Sequence, residues 1–118
     1  MTDDKEIDNK AREDLKNLYE RFSKKDRIKK ILNSFFVTFD EQIQNLTVAY
    51  QKKDFNNMDE AIHIIKGVSG NLELDLIYQL SKKLNEDIRL QKTNRDYLVD
   101  FVLLQKYCKV YKNIELEG

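Results

Sequence analysis

The chain has no proline and only three glycines, Gly67, Gly70 and Gly118, in 118 residues. Small domains rich in strands turn often, and those two residues make most of their turns. A sequence so short of them predicts helices joined by short polar links. The apolar spacing agrees with this. Large apolar residues recur at intervals of three and four from Ile28 through Phe35 and Phe39 to Leu46, marking one long amphipathic helix. Three further stripes follow: Met58, Ala61, Ile62, Ile65, Val68 and Leu72; then Ile77, Leu80, Leu84 and Ile88; then Leu98, Phe101, Leu104, Cys108 and Tyr111.

Four stripes with short connections predict an all-α protein, an antiparallel up-down four-helix bundle. A shorter leading segment with Leu15, Leu18, Tyr19 and Phe22 is expected to cap one end of it. The expected organisation is a flexible or helical leader over 1–12, the bundle over 13–114, and a tag-like tail over 115–118. Ser23 with Asp26, and Thr93 with Asp96, predict helix starts, since a hydroxyl three residues before an acid can cap the first turn. Asp54 is the expected cap of the second stripe, and Gly70-Asn71 the expected turn after it.

Charge excludes some functions. With 21 basic and 21 acidic side chains the net charge is zero, so the basic excess of a nucleic-acid binder is missing. No apolar run is long enough to span a bilayer. The lone cysteine cannot form an intramolecular disulfide, which fits a reducing cytoplasm. One histidine and one cysteine, 45 positions apart, provide no metal-ligand spacing, so neither a metal nor a bound cofactor is expected. Cys108 belongs to a stripe and is expected in the core.

The chemistry concentrates around the single histidine. At about 100° per residue, Ala61, Ile65, Val68 and Leu72 lie opposite His63, whereas Asp59, Lys66, Gly67 and Gly70 share its side. His63 should therefore face water. A glycine inside a helix costs roughly 1 kcal/mol against alanine, and two lie beside His63. They make sense where another molecule must approach the helix closely. Lys66, one turn away, adds a cation within reach of a group carried on the imidazole. A neutral imidazole has a free lone pair and is a nucleophile near pH 7 without help from a base.

The stretch from Ala61 to Gly70, AIHIIKGVSG, resembles the H-x-x-K-G signature of histidine phosphotransfer (HPt) domains of two-component phosphorelays. So do the opening from Asp14-Leu15 to Arg21-Phe22, the Phe-rich helix after it, and the Lys53-Asp54-Phe55 approach to the histidine helix. The resemblance implies that His63 accepts the phosphoryl group, that Lys66 stabilises it and that Gly67 leaves room for it. It also implies a polar side chain on the next helix that orients the imidazole, and by offset Asn85 falls near that place. Family members commonly carry glycine ten residues after the histidine, where this chain has Glu73. The implied partners are receiver domains, which would bring Mg2+, and a hybrid histidine kinase, with this chain a monomeric phosphocarrier and not an enzyme. Asp59, Ile64, Gly70 and Leu74 are the expected partner contacts, although Ile64 and Leu74 could equally be buried against a neighbouring helix. The rival reading is a helical adaptor of the same fold that binds its partner without being phosphorylated.

Overall fold

The computed structural model describes residues 3–117, so Met1, Thr2 and Gly118, at the ends of the expected leader and tail, lie outside it. It has five helices: α1 Asp4–Arg21, α2 Lys25–Gln51, α3 Phe55–Asn71, α4 Asp75–Arg89 and α5 Tyr97–Glu117. No strand occurs among the described residues.

Helix α2 packs against α3 and α5, and α4 also packs against α3 and α5, so these four close around a common core. Cross-helix bonds give the directions. The Tyr97 hydroxyl at the start of α5 donates to the Asp87 carbonyl near the end of α4, and Tyr111 near the end of α5 meets Leu76 at the start of α4. The α4–α5 pair is therefore antiparallel. The core is filled by Leu32, Phe39, Leu46, Ile62, Ile65, Leu84 and Leu104, each nearly or fully removed from water.

Three expectations about the ends need correction. Helix α1 is no short cap preceded by a separate leader. It has 18 residues, it crosses the expected boundary at residue 12, and Ile7 and Ala11 of the supposed leader are buried core residues. It lies along α5, with Lys106 bonded to Asp4, and Arg12 bonded to Glu117. The tail is likewise part of the fold as far as Glu117, because Glu115 and Glu117 belong to α5 and bond Tyr19 and Arg12.

Helix starts follow acids more than hydroxyls. Asp3 caps α1 and Asp54 caps α3, each accepting from a backbone amide three residues on. Ser23 does not cap α2, whose N-cap is Lys24 with no side-chain bond. Thr93 lies too far upstream of α5, and Asp96 itself accepts from the Leu98 amide. Leu98 is exposed in place of Tyr97, since Tyr97, Phe101, Leu104, Cys108 and Tyr111 form the true i, i+4, i+7 series and Leu98 is one step around the helix from it.

The helix continues through Gly70-Asn71, and the turn comes at Leu72-Glu73-Leu74. Glu73 has φ 54°, in the left-handed region, and its amide bonds the Gly70 carbonyl while the Leu74 amide bonds Ser69. This pair of bonds is the Schellman pattern, which favours glycine at the position Glu73 occupies. Lys53 and Gln91 end α2 and α4 in the same conformation. The Arg21–Glu73 ion pair, at 3.3 Å and largely solvent-exposed, offsets little of the strain. Glu73→Gly is therefore expected to stabilise the fold by about 0.5–1 kcal/mol. Urea unfolding checks this, and an unchanged or lower midpoint would refute it.

Candidate functional site

The Asp54 cap and the Schellman turn set the two ends of α3, and its stripe of Met58, Ala61, Ile62 and Ile65 faces inward. His63, halfway along, then points outward. It is exposed, and among the described residues its ring has no hydrogen-bond partner.

The two glycines beside it differ. A Cβ built at Gly67 would meet nothing within 4 Å, so this position is a bare stretch of helix next to the imidazole. A Cβ at Gly70 would fall 2.9 Å from Cε1 of Tyr78. Gly70 is thus half-buried beneath the Tyr78 ring from α4, and it serves α3–α4 packing instead of offering an open contact surface. A molecule approaching that end of the site meets Tyr78 first.

Lys66 is half-buried and its Nζ donates to Oδ1 of Asn85 at 3.2 Å. Asn85 is 1% exposed, and its Nδ2 donates to Oδ1 of Asp59 at 2.6 Å. Arg89 Nε reaches the same Asp59 oxygen at 3.3 Å. The expected bond from Asn85 to the imidazole is absent. The reason is geometric: Asn85 lies in the α3–α4 seam, His63 points out of it, and both ends of the short amide are already engaged. Asp59 is half-exposed and held by α4 through Asn85 and Arg89.

The two apolar contacts separate. Ile64 is 39% exposed and faces the groove between α2 and α3, with Val48, Asn45 and Gln42 across it. Leu74 is fully buried, which overturns its place on a docking surface. It follows the left-handed residue of the Schellman turn, where an apolar side chain folds back onto the helix it ends.

Sequence reasoning missed Tyr78 and Arg89. With Asn85 they occupy one face of α4 at helical spacing, and Lys82 shares that face by register. The signal was present as positions 78, 82, 85 and 89, but it means something only once that face is set against the side of α3 bearing His63.

A family model for the Hpt domain matches residues 30–109. The chain belongs to the Hpt domain family. Searches among curated proteins and among solved structures gave no match. The family match spans the four helices from early α2 to mid α5 and includes every residue of the site just described. Membership carries a phosphotransfer role in two-component signalling. No described helix of this Hpt domain is long and apolar enough to cross a membrane. Among the described residues no three His, Cys, Asp or Glu side chains are grouped to hold a metal ion. Cys108 is buried in α5, and burial pushes its thiol up to about 12, far from the reactive thiolate.

Proposed function

We propose that this Hpt domain accepts a phosphoryl group on His63 from the aspartyl-phosphate of a receiver domain, and passes it on to another receiver in a multistep relay. The observation that carries this reading is an exposed imidazole with no hydrogen-bond partner among the described residues, flanked by the bare backbone of Gly67 and one turn from the Lys66 ammonium.

The lone pair of Nε2 attacks phosphorus in line with the bond to the receiver's aspartate. The P–N bond forms as that P–O bond breaks, and the aspartate leaves as carboxylate with the electron pair. Gly67 admits the phosphoryl oxygens and the receiver surface. Lys66 supplies a charge-assisted donor to the transferred group. In this reading Mg2+ and most of the electrostatic stabilisation come with the receiver. The chain is then a phosphocarrier, since its own residues supply a nucleophile and one cation. Ile64, with Val48 across the largely polar α2–α3 groove, is the apolar part of the docking surface, and Tyr78 borders it on the α4 side. A lone, buried cysteine suits work in the cytoplasm, and a single copy suffices for the site.

The test is incubation with a panel of receiver domains phosphorylated on aspartate by acetyl phosphate. The expected result is label transferred to the chain that is acid-labile and alkali-stable, as a P–N bond requires, and that maps to the peptide containing His63. Label on any other residue, or none from any receiver, would overturn the reading.

A further inference from the structure

We infer that Asn85 is a positioning residue for Lys66, holding the ammonium at the His63 face without neutralising it. This rests on the acceptance of a phosphoryl group at His63 proposed above. The side-chain amide of Asn85 sits between two opposite charges. Its oxygen accepts from Lys66 Nζ at 3.2 Å and its nitrogen donates to Asp59 at 2.6 Å. The reversed amide would point N–H groups at the ammonium and an oxygen at the carboxylate, so the charges themselves dictate its orientation.

The arrangement solves a problem that a bare lysine would not. A free lysine side chain carries about 2 kcal/mol of rotamer entropy, which must be given up when it meets the phosphoryl group. Tethering removes part of that loss beforehand. A carboxylate would tether it more strongly, but it would also cancel the charge the incoming dianion needs. Asp59, two turns before Lys66 on α3, is the carboxylate at hand. It is taken up by Asn85 and by Arg89, and among the described residues Lys66 has no ion pair. A neutral acceptor therefore keeps Lys66 in place with its charge unspent. When the phosphoryl group arrives three residues away on the same face, the ammonium has further donors to offer it and no salt bridge to break. No covalent bond or proton moves in this adjustment.

The test is a double-mutant cycle of wild type, Asn85→Ala, Lys66→Ala and the pair, read as the maximal single-turnover rate and the half-saturating receiver concentration for transfer from the receiver in the panel that reacts fastest. Asn85→Ala is expected to lower the maximal transfer rate roughly tenfold with the half-saturating receiver concentration little changed. The double variant should transfer no more slowly than Lys66→Ala alone. Additive losses would overturn the proposal, because Asn85 would then act by a route other than Lys66.

Alanine at a buried site can damage the fold, so a second measurement uses the intact chain. The Lys66 ammonium should be more ordered by 15N relaxation than the ammonium groups of Lys30 and Lys82. Equal mobility overturns the tether even in a chain that accepts phosphate normally. A wild-type chain that accepts no phosphoryl group brings down the parent reading, and this role with it, whatever the relaxation data show. The two failures are thus separable.

Discussion

His63→Gln is expected to reduce phosphoryl acceptance to background while leaving the fold as stable as before, within about 0.5 kcal/mol. The chemistry sets the first half. A glutamine amide nitrogen has its lone pair delocalised into the carbonyl, so it can occupy the space of the imidazole without attacking phosphorus. The structure sets the second half. His63 is exposed, it has no hydrogen-bond partner among the described residues, and it does not belong to the buried stripe of α3, so nothing in the core depends on it. Unfolding in urea and transfer from a phosphorylated receiver, measured on the same preparation, check both halves. Label that survives the substitution would place the acceptor elsewhere. A variant that binds receivers and supports signalling as well as wild type would favour the adaptor reading.

Asp14→Ala is expected to cost about 3 kcal/mol of stability and to lower Tm by more than about 10 °C. This carboxylate, 3% exposed, begins α4 from another helix. Leu74 at the N-cap of α4 has no side chain that can accept a hydrogen bond. The Asp75 amide instead donates to Asp14 Oδ2 at 3.0 Å, and the Leu76 amide donates to the Tyr111 hydroxyl at 3.1 Å. Tyr111 in turn donates to Asp14 at 2.6 Å, and Lys10 pairs with Asp14 at 3.0 Å and with Asp75 at 3.1 Å. Removing the carboxylate leaves a buried phenol and a helix-terminal amide without their acceptor. Burial with a carboxylate alongside raises the Tyr111 phenol, which therefore stays a hydrogen-bond donor.

Asp14 also makes a prediction about pH. Burial raises its carboxyl above the ordinary 3.8, outweighing the lowering by Tyr111, Lys10 and the Asp75 amide. With the folded value above the unfolded one, the folded chain takes up this proton at the higher pH. Ionisation of Asp14 therefore works against folding above its folded value, and that penalty is relieved as pH falls through it. Asp14→Asn should remove this gain from the acid side of the stability profile. Denaturant midpoints collected from neutral pH down to about pH 4 check the sign, and a wild type that loses more stability than Asp14→Asn over that range would contradict it.

How much of this was legible in sequence differs from residue to residue. Local rules read well. The phase of Ala61, Ile65 and His63 around one helix depends only on 3.6 residues per turn, so the outward direction of the imidazole could be read before any fold was known. The bare backbone at Gly67 and the cap at Asp54 are local in the same sense. The glycine that the family carries where this chain has Glu73 is explained by one backbone angle, which the sequence hints at but does not contain.

What failed was pairing between segments. Asn85 was matched to His63 by offset, but which side chain an amide meets depends on how α3 and α4 are set against each other, and there Asn85 meets Lys66 and Asp59. Gly70 looked open because it shares the outward side of α3 with His63; the Tyr78 ring that covers it comes from α4. Leu74 could be read either as an apolar flank of His63 or as buried against a neighbouring helix, and the turn before it decides for burial. Asp14 and Tyr111, 97 positions apart, could not be read as one cap for α4. Sequence by itself determined the apolar stripes of α2, α3 and α4 and the exposure of the one histidine, because helical periodicity is a property of neighbours in the chain. Only the tertiary structure decided who the polar partners are, because a hydrogen bond between helices needs two side chains brought within about 3 Å, a distance set by the packing of the whole bundle.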